Sequence, residues 1–332
     1  MFSVRAALHA YGAVVVFAAV LPAPGALAQP AGETYPAKTI RFICPFPPGG
    51  ANDLLARLFA QKMADTLGQQ VFVDNRGGAG GIIGAEAGAR APADGYTITM
   101  ANLSMLAINP FLYAKLPYDV VRDFAPVIEL AQSVNLLLVH PSVPATTLKE
   151  LIDLARAKPG GYNYATPGIG TPAHLATELM ASMAGIKLVH VHYKGSGAAI
   201  PAVIAGESQI FIEPVATSIA HARAGRMRAL AVTSAQRAAV TPELPTMVEA
   251  GLAGYEFTSW YGVIAPAATP RAVVMRLNET INRILNQADM KENLTSQAML
   301  TIGGPPEAFA AKIKTEMARW GKVVKDTGAK AD

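Results

Sequence analysis

The sequence predicts an α/β protein whose sheets are mostly parallel and covered by helices. Three observations point there. Short apolar runs that read as strands alternate along the chain with stretches of helical spacing. Turns rich in glycine and proline separate them. The order strand, Gly/Pro turn, helix occurs twice in the same design, beginning at Ile40 and at Tyr162. Ligands of such folds bind at the carboxyl ends of strands, often in a crevice between domains.

Ile40–Cys44 reads as a buried strand, followed by the turn 45–52 and a helix over Asp53–Leu67. Val71–Asp74 is a strand. Gly77-Gly78-Ala79-Gly80-Gly81 turns into an Ala-rich helix, Ile83–Arg90, and Tyr96–Met100 is the third strand. Val127–Leu130 and Leu136–Val139 follow as strands. Leu148–Ala157 is a helix that opens with Thr146-Thr147 and stops before Pro159. Tyr162–Ala165 is a strand, then come the turn 166–171 and a helix over Ala173–Met183. The alternation continues with Val189–Tyr193, Ala198–Ala205, Ile210–Ile212, Ala216–Ala224 and Arg228–Val232. Tyr261–Ala265 is the last strand expected. Pro270–Asn286 and Glu307–Lys325 are the terminal helices.

Residues 1–28 read as a secretory signal. Arg5 is its positive start, and Tyr11–Leu21 is apolar but shorter than the roughly 20 residues a membrane span needs. Ala26-Leu27-Ala28 is a small-x-small cleavage site before Gln29. The sole cysteine, Cys44, cannot form an intrachain disulfide, so the exported chain relies on its core. The net charge of +4 is spread without a basic run, which fits small anionic ligands and argues against nucleic acid. No nucleophile elbow, H-E-x-x-H zinc motif or Walker loop is present, so no catalytic role, metal or cofactor is expected.

Several strings carry a family resemblance. Tyr35-Pro36-Ala37-Lys38 leads to Pro45-Phe46-Pro47-Pro48-Gly49-Gly50; Val73-Asp74-Asn75-Arg76 precedes Gly80-Gly81 and Gly84; Ala91-Pro92-Ala93-Asp94-Gly95-Tyr96 follows. Then come Asn109-Pro110, Leu116-Pro117-Tyr118-Asp119, Gly168-Ile169-Gly170-Thr171 with His174-Leu175, Tyr193-Lys194-Gly195, and the run from Gly225 to Thr233. Pro245-Thr246, Glu249-Ala250-Gly251, Ser259-Trp260 and Ala265-Pro266 complete the series. In this order they resemble the Bug family, the extracytoplasmic solute receptors of tripartite tricarboxylate transporters. The resemblance implies a type II periplasmic-binding-protein fold, with two α/β lobes joined by a hinge and a ligand cleft between them. It places lobe one at 33–132 plus 256–332 and lobe two at 133–255. It implies a periplasmic protein that binds a small carboxylate: a di- or tricarboxylate, an acidic amino acid or an aromatic acid; the sequence leaves the oligomeric state open, with a monomer as the default. The partner would be a set of membrane transporter subunits or, in a sensing role, a sensor kinase.

Two grips on the ligand follow. Phe46, Pro48, Gly49, Gly50 and Asp53 form the first, with Phe46 as an apolar wall. Asp53 serves either as a helix-start cap that shapes the loop or as a direct ligand. Thr166, Gly168, Gly170, Thr171 and His174 form the second, an anion clamp at a helix start. His174 either orients the loop or meets the ligand. Thr171→Val with Gly170→Ala is expected to weaken binding about tenfold or more with little change in melting temperature. Asn102 lines the cleft or ends its strand. Lys194 reads equally as a positive rim residue or a solvated lysine. Glu213 departs from the family pattern; facing the cleft, it would favour a ligand carrying an amine or hydroxyl donor, and otherwise it would pair with a nearby cation. His190 and His192 share a face of one strand, where surface placement is preferred to metal binding.

Overall fold

The computed structural model describes residues 35–327, so the expected leader lies outside the described residues. β1 (Ile40–Cys44) leads through the Pro/Gly turn into α1 (Ala51–Leu67). α1 buries Leu55, Ala56, Phe59, Ala60 and Met63, a spacing of three and four that lays one face on the sheet. β2 (Val71–Asn75), a 3-10 turn at Ala79–Gly81, α2 (Ile82–Ala89) and β3 (Thr97–Asn102) follow. A π-helical turn, Ser104–Ile108, runs into α3 (Asn109–Leu112). β4 (Phe124–Ser133) and β5 (Asn135–Val139) come next, then α4 (Leu148–Ala157), β6 (Asn163–Thr166) and α5 (Pro172–Ala184). β7 (Val189–His192), α6 (Ser196–Ile204), β8 (Ile210–Pro214), α7 (Val215–Arg223) and β9 (Arg228–Val232) continue the alternation. β10 (Ser259–Pro266), α8 (Arg271–Leu285), α9 (Ala288–Ser296), β11 (Met299–Thr301) and α10 (Pro306–Thr327) close the chain.

Among the described residues the strands form two sheets. One has the order β11-β4-β10-β3-β1-β2, the other β7-β6-β8-β5-β9. The chain passes between them at Val134, where β4 ends in one sheet and β5 begins in the other, and again between β9 and β10. The expectation of mostly parallel strands needs correction. β1 pairs in parallel with β2 and β3, and β6 with β7 and β8. Every pairing of β4, β5, β10 and β11 is antiparallel. These include the segments that cross between the sheets, which enter without the helical crossover that a parallel strand requires.

Local chemistry explains several element ends. Thr147 accepts from the Glu150 N–H at 3.2 Å while Glu150 accepts from the Thr147 N–H at 3.2 Å, a reciprocal cap on α4. Three segments were not legible. Pro110 argues against a helix at 109–112, yet it stands in the first turn of α3, where an N–H is not needed. α9 buries only Met290 and Leu294, too few to show a period, and β11 is three residues long.

Candidate functional site

The cleft is built from loops at the ends of strands in both sheets. A cavity of ≈ 50 Å³ lies at its base. Four helix starts meet there: Gly50, Ala51 and Asn52 at α1, Thr171 to Ala173 at α5, Gly195 and Ser196 at α6, and Pro214 before α7. The first amides of a helix lack intrahelical partners and carry partial positive charge. Asn135, Ser259 and Tyr261, where the chain crosses between the sheets, form the floor. Ser259 donates to Asn135 Oδ1 at 3.4 Å, and the Thr233 N–H donates to the Asn135 carbonyl at 3.0 Å. A wider cavity of ≈ 710 Å³ opens beside it, lined by Pro48, Gly77 to Gly81, Tyr113, Gly168, Ile169 and 192–195. Phe46, Pro47, Pro167, Thr171 and Gly195 border both.

The two sides touch closely. A Cβ on Gly195, whose φ is +92°, would stand 3.2 Å from Pro47 Cγ. One on Gly50 would stand 3.6 Å from Ser196 Oγ, and one on Gly80 only 2.8 Å from the Ile169 carbonyl oxygen. Pro47 and Gly195 therefore separate the inner cavity from the wider one.

The residues singled out in the sequence divide into lining and supporting positions. Phe46, Gly50, Thr171 and Glu213 line the inner cavity; Pro48 and Gly168 line the outer one. Gly49, Asp53, Asn102, Thr166, Gly170 and His174 border neither, and each of them ties a wall together through a hydrogen bond. Asp53 is buried and accepts from the Gly49 N–H at 3.0 Å, from Arg57 at 3.1 Å and from Asn75 Nδ2 at 2.9 Å. Burial raises its pKa, but hydrogen bonds from Arg57, Gly49 and Asn75 outweigh this and hold the carboxyl below its usual range. Asn75 Nδ2 also donates to the Phe46 carbonyl at 3.0 Å, so Asp53 and Asn75 jointly fix the loop. Asp53→Ala is expected to cost about 2 kcal/mol in denaturant unfolding by stranding these donors, and to loosen the Phe46–Gly50 loop.

In the second loop, Thr166 Oγ1 donates to the Gly168 carbonyl at 3.1 Å, and so does Thr171 Oγ1 at 2.7 Å. The Gly170 N–H donates to His174 Nδ1 at 3.2 Å. His174 stacks on His190 with centroids 4.3 Å apart, and His190 stacks on Tyr164 at 4.8 Å. Burial first, and neighbouring histidines second, push His174 and His190 down to about 4, so both are neutral at ordinary pH. His190 thus joins a half-buried stack, with Nε2 2.7 Å from Thr166 Oγ1. His192 is the exposed member of the pair. Gly170 has φ +74°, and a Cβ there would stand 2.9 Å from Leu112 Cδ2. The double change with Gly170→Ala would therefore cost stability, and Thr171→Val alone is the cleaner probe. Asn102 Oδ1 accepts from the Met105 N–H at 3.0 Å and its Nδ2 donates to Asn52 Oδ1 at 3.2 Å; it stands behind the cavity wall.

Glu213 is 1% exposed at the end of β8. Its Oε1 accepts from Thr217 Oγ1 at 2.7 Å, while Oε2 has no hydrogen-bond partner among the described residues. Burial pushes its carboxyl up to about 7, against the lowering effect of Ser196 and Thr217. Tyr261 is raised by its own burial first and by the Glu213 charge second. Cys44 is buried in β1, where burial raises its thiol to about 12. Sequence reasoning did not single out Asn52, Asn135, Ser196, Ser259 or Tyr261 as lining. The available signal was polar residues at strand ends: Asn135 opens the apolar run Leu136–Val139, and Ser259 precedes Trp260.

The sequence pattern of the tripartite tricarboxylate transporter family receptor matches residues 55–329. The chain belongs to this family. The receptor is 42% identical over 293 residues to a UPF0065 protein from the tcbD-tcbE intergenic region of Pseudomonas sp. strain P51, covering 88% of this chain and 87% of that one. It is 37% identical over 307 residues to protein BugT of Bordetella pertussis, covering 92% and 94%. Among solved structures, Rpa4515 of R. palustris with adipate superimposes with a TM-score of 0.87 at 37% identity, covering 89% of the receptor and 99% of that chain. MatC (Rpa3494) from Rhodopseudomonas palustris with bound malate gives 0.84 at 31% identity, covering 87% and 100%. The structure of periplasmic binding protein BugD gives 0.85 at 30% identity, covering 89% of the receptor and 99% of that chain, so the fold is that of a periplasmic binding protein.

Proposed function

We propose that this receptor captures a small carboxylate at the base of the cleft and delivers it to membrane transporter subunits from the periplasm. The observation that carries the reading is the meeting of four helix starts, from elements on both sides of the cleft, on one cavity without a lysine or arginine in its lining. Such a site holds an anion through amides and hydroxyls rather than through a salt bridge. The adipate and malate in the two related structures support the same ligand class. No helix among the described residues is long and apolar enough to cross a membrane, which fits delivery to a separate membrane partner.

The lobes we assign are 33–132 plus 256–332 and 133–255, hinged where the chain crosses at Val134 and between β9 and β10. The strand assignments agree with this division: β5 to β9 lie in one sheet and the remaining strands in the other. Ligand entry requires the Pro47–Gly195 contact to part, and closure restores it. The receptor acts as a monomer, and no catalytic step is assigned to it. In the loops, Phe46, Gly50 and Thr171 face the ligand, while Asp53, Asn102, Thr166 and His174 position them.

The test is calorimetry or thermal shift of the purified receptor, after denaturation and refolding, against di-, tri-, amino and aromatic carboxylates. A ligand at 100 times its Kd should stabilise by about 2.7 kcal/mol. Thr171→Val should weaken a hit about tenfold, because it removes the hydroxyl that ties the wall loop to the Gly168 carbonyl. Failure of every carboxylate to shift the transition would refute the reading.

A further inference from the structure

Glu213 is out of place in an anion site. The inner cavity already collects four helix starts that suit a ligand carboxylate, yet a fully buried side-chain carboxyl stands in its lining. No lysine, arginine or histidine lines this cavity among the described residues, so no protein cation offsets it. The groups facing it are all neutral: Ser196 at the start of α6, Thr217 on α7, Asn135 on β5 and Tyr261 on β10.

Its two oxygens are not equivalent. Thr217 Oγ1 donates to Oε1 at 2.7 Å and fixes the carboxyl's orientation. Oε2 is buried and makes no hydrogen bond of ordinary length among the described residues; the Ser196 hydroxyl stands near enough to lower the carboxyl's pKa but does not close such a bond. A buried acceptor without a donor is costly, and the cost is recovered only when something supplies one. Burial pushes the carboxyl up to about 7, so at pH 7.5 the ionised form, an acceptor and not a donor, is the larger fraction.

We propose that Glu213 is the specificity-determining residue of this cavity, its Oε2 accepting a hydrogen bond from an amino or hydroxyl substituent on the bound carboxylate. The inference rests on the receptor reading above and narrows it. An ammonium would also neutralise Glu213 beside the ligand's own carboxylate; a hydroxyl would satisfy Oε2 without changing the charge. A bare dicarboxylate does neither and leaves like charges together. Sites built to bond a substituent reject analogues that lack it far more strongly than apolar pockets reject a missing methylene.

The experiment is calorimetric titration at pH 7.5 of the refolded receptor with matched acids of three lengths. The sets are succinate, malate and aspartate; glutarate, 2-hydroxyglutarate and glutamate; adipate and 2-aminoadipate. In the length that binds, the substituted acid should bind at least about tenfold tighter than the bare one. Glu213→Gln should abolish the preference for the amine, because the amide cannot match the charge, yet keep much of any preference for the hydroxyl. Glu213→Met, which offers no comparable acceptor, should abolish both preferences. Both variants remove a buried charge and should remain folded, and continued binding of the bare acid verifies the site. Bare acids binding as tightly as substituted ones, or a preference that survives Glu213→Met, would overturn the inference and leave the receptor reading intact. If no acid of any length binds, the receptor reading itself falls, and this inference with it.

Discussion

Gly50→Leu is expected to weaken carboxylate binding by at least about 100-fold, equivalent to about 2.7 kcal/mol, while the unliganded protein stays folded. Gly50 is the cap residue of α1, with φ −94° and ψ 170°, extended backbone that any residue can adopt. A side chain there meets no strain within its own loop. Its Cβ would stand 3.6 Å from Ser196 Oγ on the facing side, so the atoms beyond Cβ enter the inner cavity or hold the two sides apart. The folding cost is confined to exchanging one cap residue for a poorer one, under about 1 kcal/mol. Gly50→Ser keeps a good cap and adds one small atom, and should lose far less affinity. Titration of both variants, with melting curves of the unliganded forms, checks the result; full affinity in Gly50→Leu would remove Gly50 from the site.

The second large effect is on stability without ligand. Glu213→Gln should gain on the unmodified protein as pH rises from about 5 to 8, reaching a difference of about 3 kcal/mol. The direction follows from the raised carboxyl. Its folded pKa, about 7, lies above the ordinary value of 4.5, so the folded state holds a proton that the unfolded chain has already released. Stability is therefore full below 4.5, falls as pH rises from 4.5 to 7, and levels off above. His174 and His190 work in the opposite sense: both are lowered to about 4, so they add stability as pH rises toward 6.5. The absolute profile mixes these slopes; the difference between the two proteins isolates Glu213. Urea unfolding at pH 5, 6, 7 and 8 measures it. A constant difference would mean that Glu213 does not change its protonation across this range.

The α/β alternation was legible because most strands from Ile40 to Val232 are short runs rich in apolar residues and bounded by turn residues, and Arg228–Val232 matches its expected bounds residue for residue. Strand direction was not legible, since a buried run reads the same whether its neighbour is parallel or antiparallel. β4 is the clearest example: the short segment Val127–Leu130 announced it, but its ten residues also take in Pro126, Gln132 and Ser133. Gln132 and Ser133 are accommodated where the strand ends and the chain crosses. The loops bearing Phe46 to Gly50 and Gly168 to Thr171 were legible from Gly/Pro chemistry. The floor was not, because Asn135, Ser259 and Tyr261 come together only when distant strand ends meet. Glu213 stood out as a departure from the family pattern, but its unpartnered oxygen is a fact of three dimensions.

The position of β10 has a consequence for the order of assembly. It lies between β3 and β4, although some 125 residues separate its first strand residue from the last of β4. A chain emerging from the ribosome amino end first can complete the β5 to β9 sheet once Val232 has appeared. β3 and β4 must wait for Ser259–Pro266, with the hydrogen-bonding edges that β10 will cover still open. The waiting half is the aggregation-exposed half.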